Sequence, residues 1–428
     1  MSGAVAAHAA YNGSGTQGLA VTNKIQDGDS DVTSVFWNKN DTTRQLLHGS
    51  AFIDIPASGN GGSSSYGGNQ IFTINNDIDA IGELYLQMNI TPTGTDTNVR
   101  VKNSMAAADY IRRIEFHVGT QIWHTLEKDD LLALNFTEMP ESTYDAYSRS
   151  LSGTYKFDGT KVLGNVTGSH YVAGGVTAIL RIPTISRNVY PVLSKYANIA
   201  ENSYLVAAAP HQTVKVKIYL ATAATAILAI SSESSGSSND HPAKQPNLEL
   251  KLFGQHLIMC NEEREQMKMM PMGLPKRIKM SQSVTKSITR GAAGETLDLD
   301  HFSLFASHMI ISSAAPLDTV ELKLNSSSFA GTLKGTLLTS PMADMLGLYY
   351  NKTQIEASAG LNISPDEKKY IFPLAAQAFS GSSIPLNRFD NIRMHLALEG
   401  SGTASVTVTC VGETTALYKG GAASLAMY

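Results

Sequence analysis

Charge is what this 428-residue chain has least of. Asp, Glu, Lys and Arg make up 16% of it, and 33 basic against 37 acidic residues leave a formal net charge of −4. It therefore has no overall basic field with which to neutralise a nucleic acid. Cysteine is nearly absent: Cys260 and Cys410 cannot staple a chain of this length. That points to synthesis in a reducing compartment, with both thiols in the core. Tryptophan occurs twice, as Trp37 and Trp123, both in apolar stretches. Long hydrophobic runs are missing as well. A membrane-spanning helix needs roughly 18 apolar residues or more in a row, and the closest approach, ATAATAILAI over 221–230, is too short. The opening MSGAVAAHAAYNGSG has neither the basic start nor the apolar stretch of a secretory signal. The expectation is a soluble protein, not exported by the usual route.

What the chain does have is apolar matter, 43% of the total, and length enough for two or three domains. Ser, Thr, Asn, Gly and Ala fill the remainder, as in long surface loops. Residues 1–30 are small and polar and read as a flexible arm. Short apolar or alternating runs follow at 32–37, 51–55, 70–74, 83–90, 111–118, 176–182, 213–220 and 248–259. In TVKVKIYL over 213–220, Val214, Val216 and Ile218 alternate with Lys215 and Lys217, the period of a half-buried strand. The tract SGNGGSSSYGGN over 58–69 reads as a loop.

Helical pattern is scarce. EKDDLLALNF over 127–136 places its acids at the start, as the helix dipole prefers. NEEREQMKMM over 261–270 opens on an asparagine cap and stops at Pro271. Residues 342–350 are a third candidate. Many strands with a few short helices predict an all-β chain of sandwiches or barrels. The two halves echo each other. YIRRIEFHVGTQIW at 110–123 precedes the first helix, and LDTVELKLNSSSF at 317–329 precedes the third; ILRIP at 179–183 precedes TVKVKIYL, and YIFPL at 370–374 precedes IRMHLAL at 392–398. This order argues for duplication. It places a division near Met270, with Pro271, Gly273 and Pro275 as the hinge: an arm at 1–30, a first unit at 31–270 and a second at 271–428.

The motifs of catalysis are not supported. GSGTQG at 13–18 has the letters of a dinucleotide loop, but lacks the strand before and the helix after it that would bring amides to a pyrophosphate. There is no Walker loop, no HExxH, no CxxC and no GxSxG. His117 and His124 lack a third ligand at metal-binding spacing, and His211 reads as a loop residue. Arg112 and Arg113 beside Glu115 fit either an interface ion-pair cluster or a solvated strand edge. Met267, Met269, Met270 and Met272 read as packing between units. Sequons occur at Asn12, Asn40, Asn89, Asn135, Asn165, Asn325, Asn351 and Asn362. No catalytic, cofactor-binding or metal-binding residue is assigned, and no cofactor is expected.

Four stretches resemble the double jelly-roll major capsid proteins of nucleocytoplasmic large DNA viruses and their polinton-like relatives. They are IRRIEFHVGTQIWHTLEKDDLLAL at 111–134, LFGQHLIMCNEEREQMKMM at 252–270 with Glu263–Arg264 at the family's "ERxxF" place, SIPLNRFDNIRMHLAL at 383–398, and the glycine-rich end LYKGGAASLAMY at 417–428. VFWNKNDTTRQ at 35–45 stands where the family has its "FxxxYxRxTxF" opening. The resemblance implies two tandem eight-stranded jelly-roll β-sandwiches with a few short helices. It implies a non-enzymatic homotrimer, the pseudo-hexagonal capsomer of an icosahedral shell, made in host cytoplasm and located in the virion. Neighbouring capsomers, minor capsid proteins and an inner membrane beneath the shell would be its partners, with no direct contact to nucleic acid. A carbohydrate-binding or glycan-cleaving two-roll protein is the alternative; it would need paired acids or exposed aromatics on a concave face.

Overall fold

The computed structural model describes residues 49–58, 66–93, 98–101, 106–151, 170–183, 204–222, 227–230, 245–258, 264, 274–351, 368–376, 378 and 383–426. The proposed arm, the run at 32–37, the glycine motif at 13–18, Trp37, Cys260, the four methionines at 267–272 and the expected helix at 261–270, save Arg264, lie outside them.

The first set of strands is β1 (Gly49–Ile55), β2 (Ala57–Ser58), β3 (Asn69–Ile74), β4 (Ala80–Thr91), β5 (Asn98–Val101), β6 (Ile111–Val118) and β7 (Gln121–Glu127). Helices α1 (Lys128–Glu138) and α2 (Glu141–Leu151) follow, then β8 (His170–Ala173), β9 (Val176–Ile182), β10 (Val214–Leu220), β11 (Ile227–Ile230) and β12 (Asn247–Ile258). They form one sheet ordered β1-β12-β4-β9 and a second ordered β2-β3-β10-β6-β7, with β11-β5-β8 as a small third. Every pairing is antiparallel. First and last strands thus lie side by side, and β1, β3, β4 and β6 fall alternately in the two large sheets, the wiring of a jelly roll. The alternating residues read from sequence make its core: Val214, Val216 and Ile218 face inward against Phe72, Ile74, Ile114, Phe116, Leu86 and Leu180, all buried.

The second set is β13 (Leu274–Asp298), β14 (Phe305–Ser313), β15 (Leu317–Leu324), β16 (Ser327–Ser328), β17 (Leu333–Lys334), α3 (Ser340–Leu346), β18 (Lys368–Pro373), β19 (Ile384–Pro385), β20 (Ile392–Lys419) and β21 (Ala422–Ala426). Here β13 and β20 are long enough to run through both sheets. Their outer parts form β13-β20-β14-β18, and their other ends join β15, β16 and β17. Both strands turn the corner together, between Thr289 and Glu295 on one and across 399–402 on the other. Gly294, Gly400 and Gly402 sit there at positive φ, a conformation that a side chain would strain. The order repeats that of the first roll, so the chain is two jelly rolls in tandem.

Several elements differ from expectation. Glu127 caps α1 rather than starting it, through a reciprocal box with Asp130, and the helix runs on to Glu138. The third helix spans Ser340–Leu346 and ends on Gly347 in the left-handed region, which stops it short of Tyr350. Pro275 is not in a hinge: it lies in β13, opposite Leu417. The run at 317–329 is not one strand, because Asn325 and Ser326 adopt positive φ and fold it into a hairpin. Helix α2 was not expected; its buried Tyr144, Tyr147 and Leu151 form a stripe hidden in an otherwise polar sequence.

Candidate functional site: a buried polar seam between the rolls

Helix α1 belongs to the first roll by sequence, yet it lies against the outward face of the second roll's β13-β20-β14-β18 sheet. Asp130 shows how. Besides accepting from the Glu127 amide at 3.1 Å as a cap, it takes hydrogen bonds from Ser283 at 3.0 Å and Thr409 at 2.8 Å. Burial raises its carboxyl to about 6, against the pull of those three donors. Asp129 accepts from Thr407 at 3.3 Å. At the other end of α1, Glu138 contacts Lys279 Nζ and accepts from Arg181 at 3.2 Å. Arg181 also donates to Asn135 at 3.1 Å, and Asn135 in turn donates to Tyr147 and to the Arg181 carbonyl. Lys279, Glu138 and Arg181 are all buried. Burial pulls the Lys279 ammonium well below its ordinary range.

The carbonyls left over at the end of α1 are met from the second roll. Asn351 donates to Phe136 O at 2.6 Å and Met139 O at 2.8 Å, and the Tyr349 amide donates to Thr137 O at 2.9 Å. Beside the helix, His124 Nε2 accepts the Ser281 amide at 3.1 Å, which fixes that nitrogen as the unprotonated one. Burial, with the Lys279 charge adding to it, pushes His124 down to about 3, and does the same to His308, whose Nδ1 lies 2.8 Å from Ser307 Oγ. An aromatic cluster closes the seam: Trp123, Tyr204 and Tyr418 have ring centroids 5.3 to 6.3 Å apart. The C-terminal hairpin adds to it, since Gly421 O accepts from the His211 amide and Gln212 from the Ala423 amide.

The seam binds two units together, and Asp130, Glu138, Arg181 and Lys279 in it are buried. His124 and Ser281 touch, but both are buried, and the histidine nitrogen facing the serine is occupied by a backbone N–H. A surface pocket of about 160 Å³ lies elsewhere, lined by Ile53, Asp54, Thr73, Asp77 and His256 among others. Among the described residues no group of three His, Cys, Asp or Glu is arranged to hold a metal, and no helix is long and apolar enough to cross a membrane.

The residues singled out in the sequence go to different places. His117 and His124 are not brought to one site: His117 pairs with Glu115 at 2.9 Å, while His124 enters the seam. Arg112 is exposed, whereas Arg113 pairs with Glu115 at 3.0 Å and lies over the Tyr219 ring. Burial alone would raise Glu115, but donors from His117, Tyr219 and Arg113 outweigh it and hold the carboxyl low. Trp123 and Cys410 are buried, and so Trp123 offers no stacking platform for a sugar. Of the sequons, Asn135 and Asn351 are buried in the seam, Asn89 is hydrogen-bonded within its sheet, and Asn325 is exposed on a turn; Asn12, Asn40, Asn165 and Asn362 lie outside the described residues. Sequence reading missed Asp130, Glu138, Arg181, Lys279, Thr407 and Thr409 as a group. The sequence offered only the polar phase of two alternating strands, β13 and β20, which locally is the pattern of a water-facing face.

No protein-family model matches the sequence, and no curated protein is similar to it. Solved structures are. VP54 of PBCV-1 is 14% identical with a TM-score of 0.63, over 90% of this chain and 98% of that one. The Faustovirus major capsid protein is 8% identical with a TM-score of 0.55, over 96% and 98%. The mavirus major capsid protein is 11% identical with a TM-score of 0.51, over 88% and 90%. The likeness covers both rolls and the join between them, so the chain has the double jelly-roll fold of these proteins.

Proposed function

We propose that this chain is the major capsid protein of an icosahedral DNA virus, its trimer forming a pseudo-hexagonal capsomer of the shell. The observation that carries the reading is the seam. Two rolls of the same wiring are held as one block by buried charge and hydrogen bonds, which suits a tile and leaves no opening for chemistry. A non-enzymatic role follows. The division into an arm at 1–30, a first roll at 31–270 and a second at 271–428 is part of the same proposal.

Neighbouring capsomers and minor capsid proteins are the expected partners, with an inner membrane as a further one beneath the shell. The net charge of −4 speaks against direct genome binding. The arm, with Lys24 its only cation against Asp27 and Asp29, suits an ordered contact with a neighbouring protein instead. Synthesis in host cytoplasm and residence in the virion complete the picture. Light scattering on the purified chain, followed by electron microscopy, tests it: a stable trimer of hexagonal outline is expected. A monomer that binds or cleaves glycans would overturn it. Removing residues 1–25 should leave the trimer intact and impair closure of shells.

A further inference from the structure

The outward face of the first roll's β2-β3-β10-β6-β7 sheet is basic at its middle. Lys215, Lys217 and Tyr219 alternate along β10 with Val214, Val216 and Ile218, which fill the core. Across the face, Lys215 stands between Thr73 and His117, Lys217 between Ile71 and Glu115, and Tyr219 between Asn69 and Arg113. Arg113 and Lys217 both lie over the Tyr219 ring, 4.4 and 4.7 Å from its centre. Glu115 is the acid nearest the lysines in register, and it is buried and already used. Arg113 and His117 pair with it at 3.0 and 2.9 Å, and Tyr219 donates to it at 3.1 Å. Glu127, at the β7 edge, stands opposite Arg113.

Lys215 and Lys217 are thereby left without an acidic partner among the described residues. Lysines on other strands have one: Lys251 pairs with Glu249 at 3.5 Å, Lys286 with Glu295 at 2.9 Å, Lys323 with Glu321 at 3.4 Å and Lys334 with Asp318 at 2.8 Å. Opposite charges on neighbouring sheet positions stabilise one another, so two bare cations in mid-sheet suit an acid from elsewhere. The chain carries such an acid ahead of β1. QDGDSD at 26–31 sets Asp27, Asp29 and Asp31 at alternate places, with small Gly28 and Ser30 between them and no cation from Lys24 to Lys39. In extended backbone, alternate side chains share one side about 7 Å apart, which is also the repeat of Lys215 and Lys217. The 17 residues between Asp31 and Gly49 can span up to about 60 Å. Strand β1 is only seven residues long, roughly 20 Å, and leads through β2 to β3 beside β10, so the face is within reach.

We infer that the tract Asp27–Asp31 docks on the outward face of its own chain's first roll, its carboxylates on Lys215 and Lys217. The contact roots the arm at one place on the roll. Residues 1–26 then project from a fixed origin toward the neighbouring protein, and that use of them rests on the capsid reading. The root itself does not, since the tract and the face belong to one chain. Exposed charges hold it, so salt weakens it.

The test is carbodiimide coupling of the full-length wild-type chain, which joins a carboxylate to an amine only where the two touch. Products are separated on a denaturing gel and mapped by peptide mass spectrometry. The expected product is an amide between Asp27, Asp29 or Asp31 and Lys215 or Lys217 within single chains. It should exceed links from the same acids to Lys251 or Lys323 about tenfold, because an unanchored arm would visit all of these lysines. Salt at about 1 M should remove the preference. Links spread evenly over the lysines, or found only between chains, overturn the assignment. Lys215→Glu/Lys217→Glu and Asp27→Lys/Asp29→Lys/Asp31→Lys should each lose the link, and their combination should regain it; a combination that does not couple refutes the pairing. Should a variant misfold by circular dichroism, the wild-type distribution of links decides alone. If the arm does not couple and the wild type retains DNA or anionic vesicles that Lys215→Glu/Lys217→Glu releases, the face serves another anion and the assignment falls. Light scattering reads the trimer separately, so a failed root and a failed capsid reading are told apart.

Discussion

Glutamate 138 is the member of the seam whose loss should cost most, because two buried cations share its one carboxylate. Glu138→Gln keeps the shape and removes the charge, leaving Lys279 and Arg181 side by side out of water. Breaking a buried ion pair from one side costs about 3–5 kcal/mol. Lys279 sets a ceiling on its own share, since it can shed its proton. Holding it neutral at pH 7, against an ordinary value of 10.5, costs at most about 5 kcal/mol at roughly 1.36 kcal/mol per pH unit. At about 2–4 °C per kcal/mol for units of roughly 150–250 residues, melting should fall by about 6–20 °C. Lys279→Met should cost less, about 1–2 kcal/mol, because Arg181 still neutralises the carboxylate. The double variant Glu138→Gln/Lys279→Met should be more stable than Glu138→Gln alone. A lysine with a lowered native value binds fewer protons folded than unfolded. The stability of Glu138→Gln should therefore rise with pH toward 10 more steeply than that of the wild type, and its deficit should shrink. Thermal melts by circular dichroism from pH 7 to 10 measure all of this. Glu138→Gln melting within 2 °C of wild type, or above Lys279→Met, would refute the shared-carboxylate account.

Two further outcomes come from the same seam. His124 and His308 are neutral when folded and held near 3, so the stability they confer is full above 6.5 and is lost as pH falls. At pH 5 each costs about 2 kcal/mol; Asp130, raised to about 6, returns about 1 kcal/mol, and Lys279, Glu138 and Arg181 face the same space. Melting should drop between pH 7 and 5, and His124→Gln/His308→Gln should flatten that slope; an unchanged slope counts against it. Deleting residues 420–428 removes β21, whose Ala423 and Leu425 pack on the first roll's core. Amide exchange in β10 of the first roll should then quicken more than in β14 of the second; equal protection in both strands would contradict this.

Strands whose two faces differ in burial were legible in the residues alone. In Val214–Leu220, inward valines and isoleucine and outward lysines announce a half-buried strand, because side chains alternate across a sheet with period two. Residues 111–118 and 176–182 were legible to the residue for the same reason, and the acids at the start of α1 marked its N-terminus through the cap and the dipole. The landmark order in the two halves, with the family-like stretches, made the paired rolls legible too. The seam was not. Lys279, Ser281 and Ser283 on β13 and Thr407 and Thr409 on β20 form the polar phase of ordinary alternating strands, which locally is the pattern of a water-facing surface. Only the docking of α1, 153 residues before Ser283 and 279 before Thr409, turns that surface inward and makes its polar groups partners. Burial of a polar face is set by what covers it, a property of the assembled fold to which neighbours along the chain carry no key.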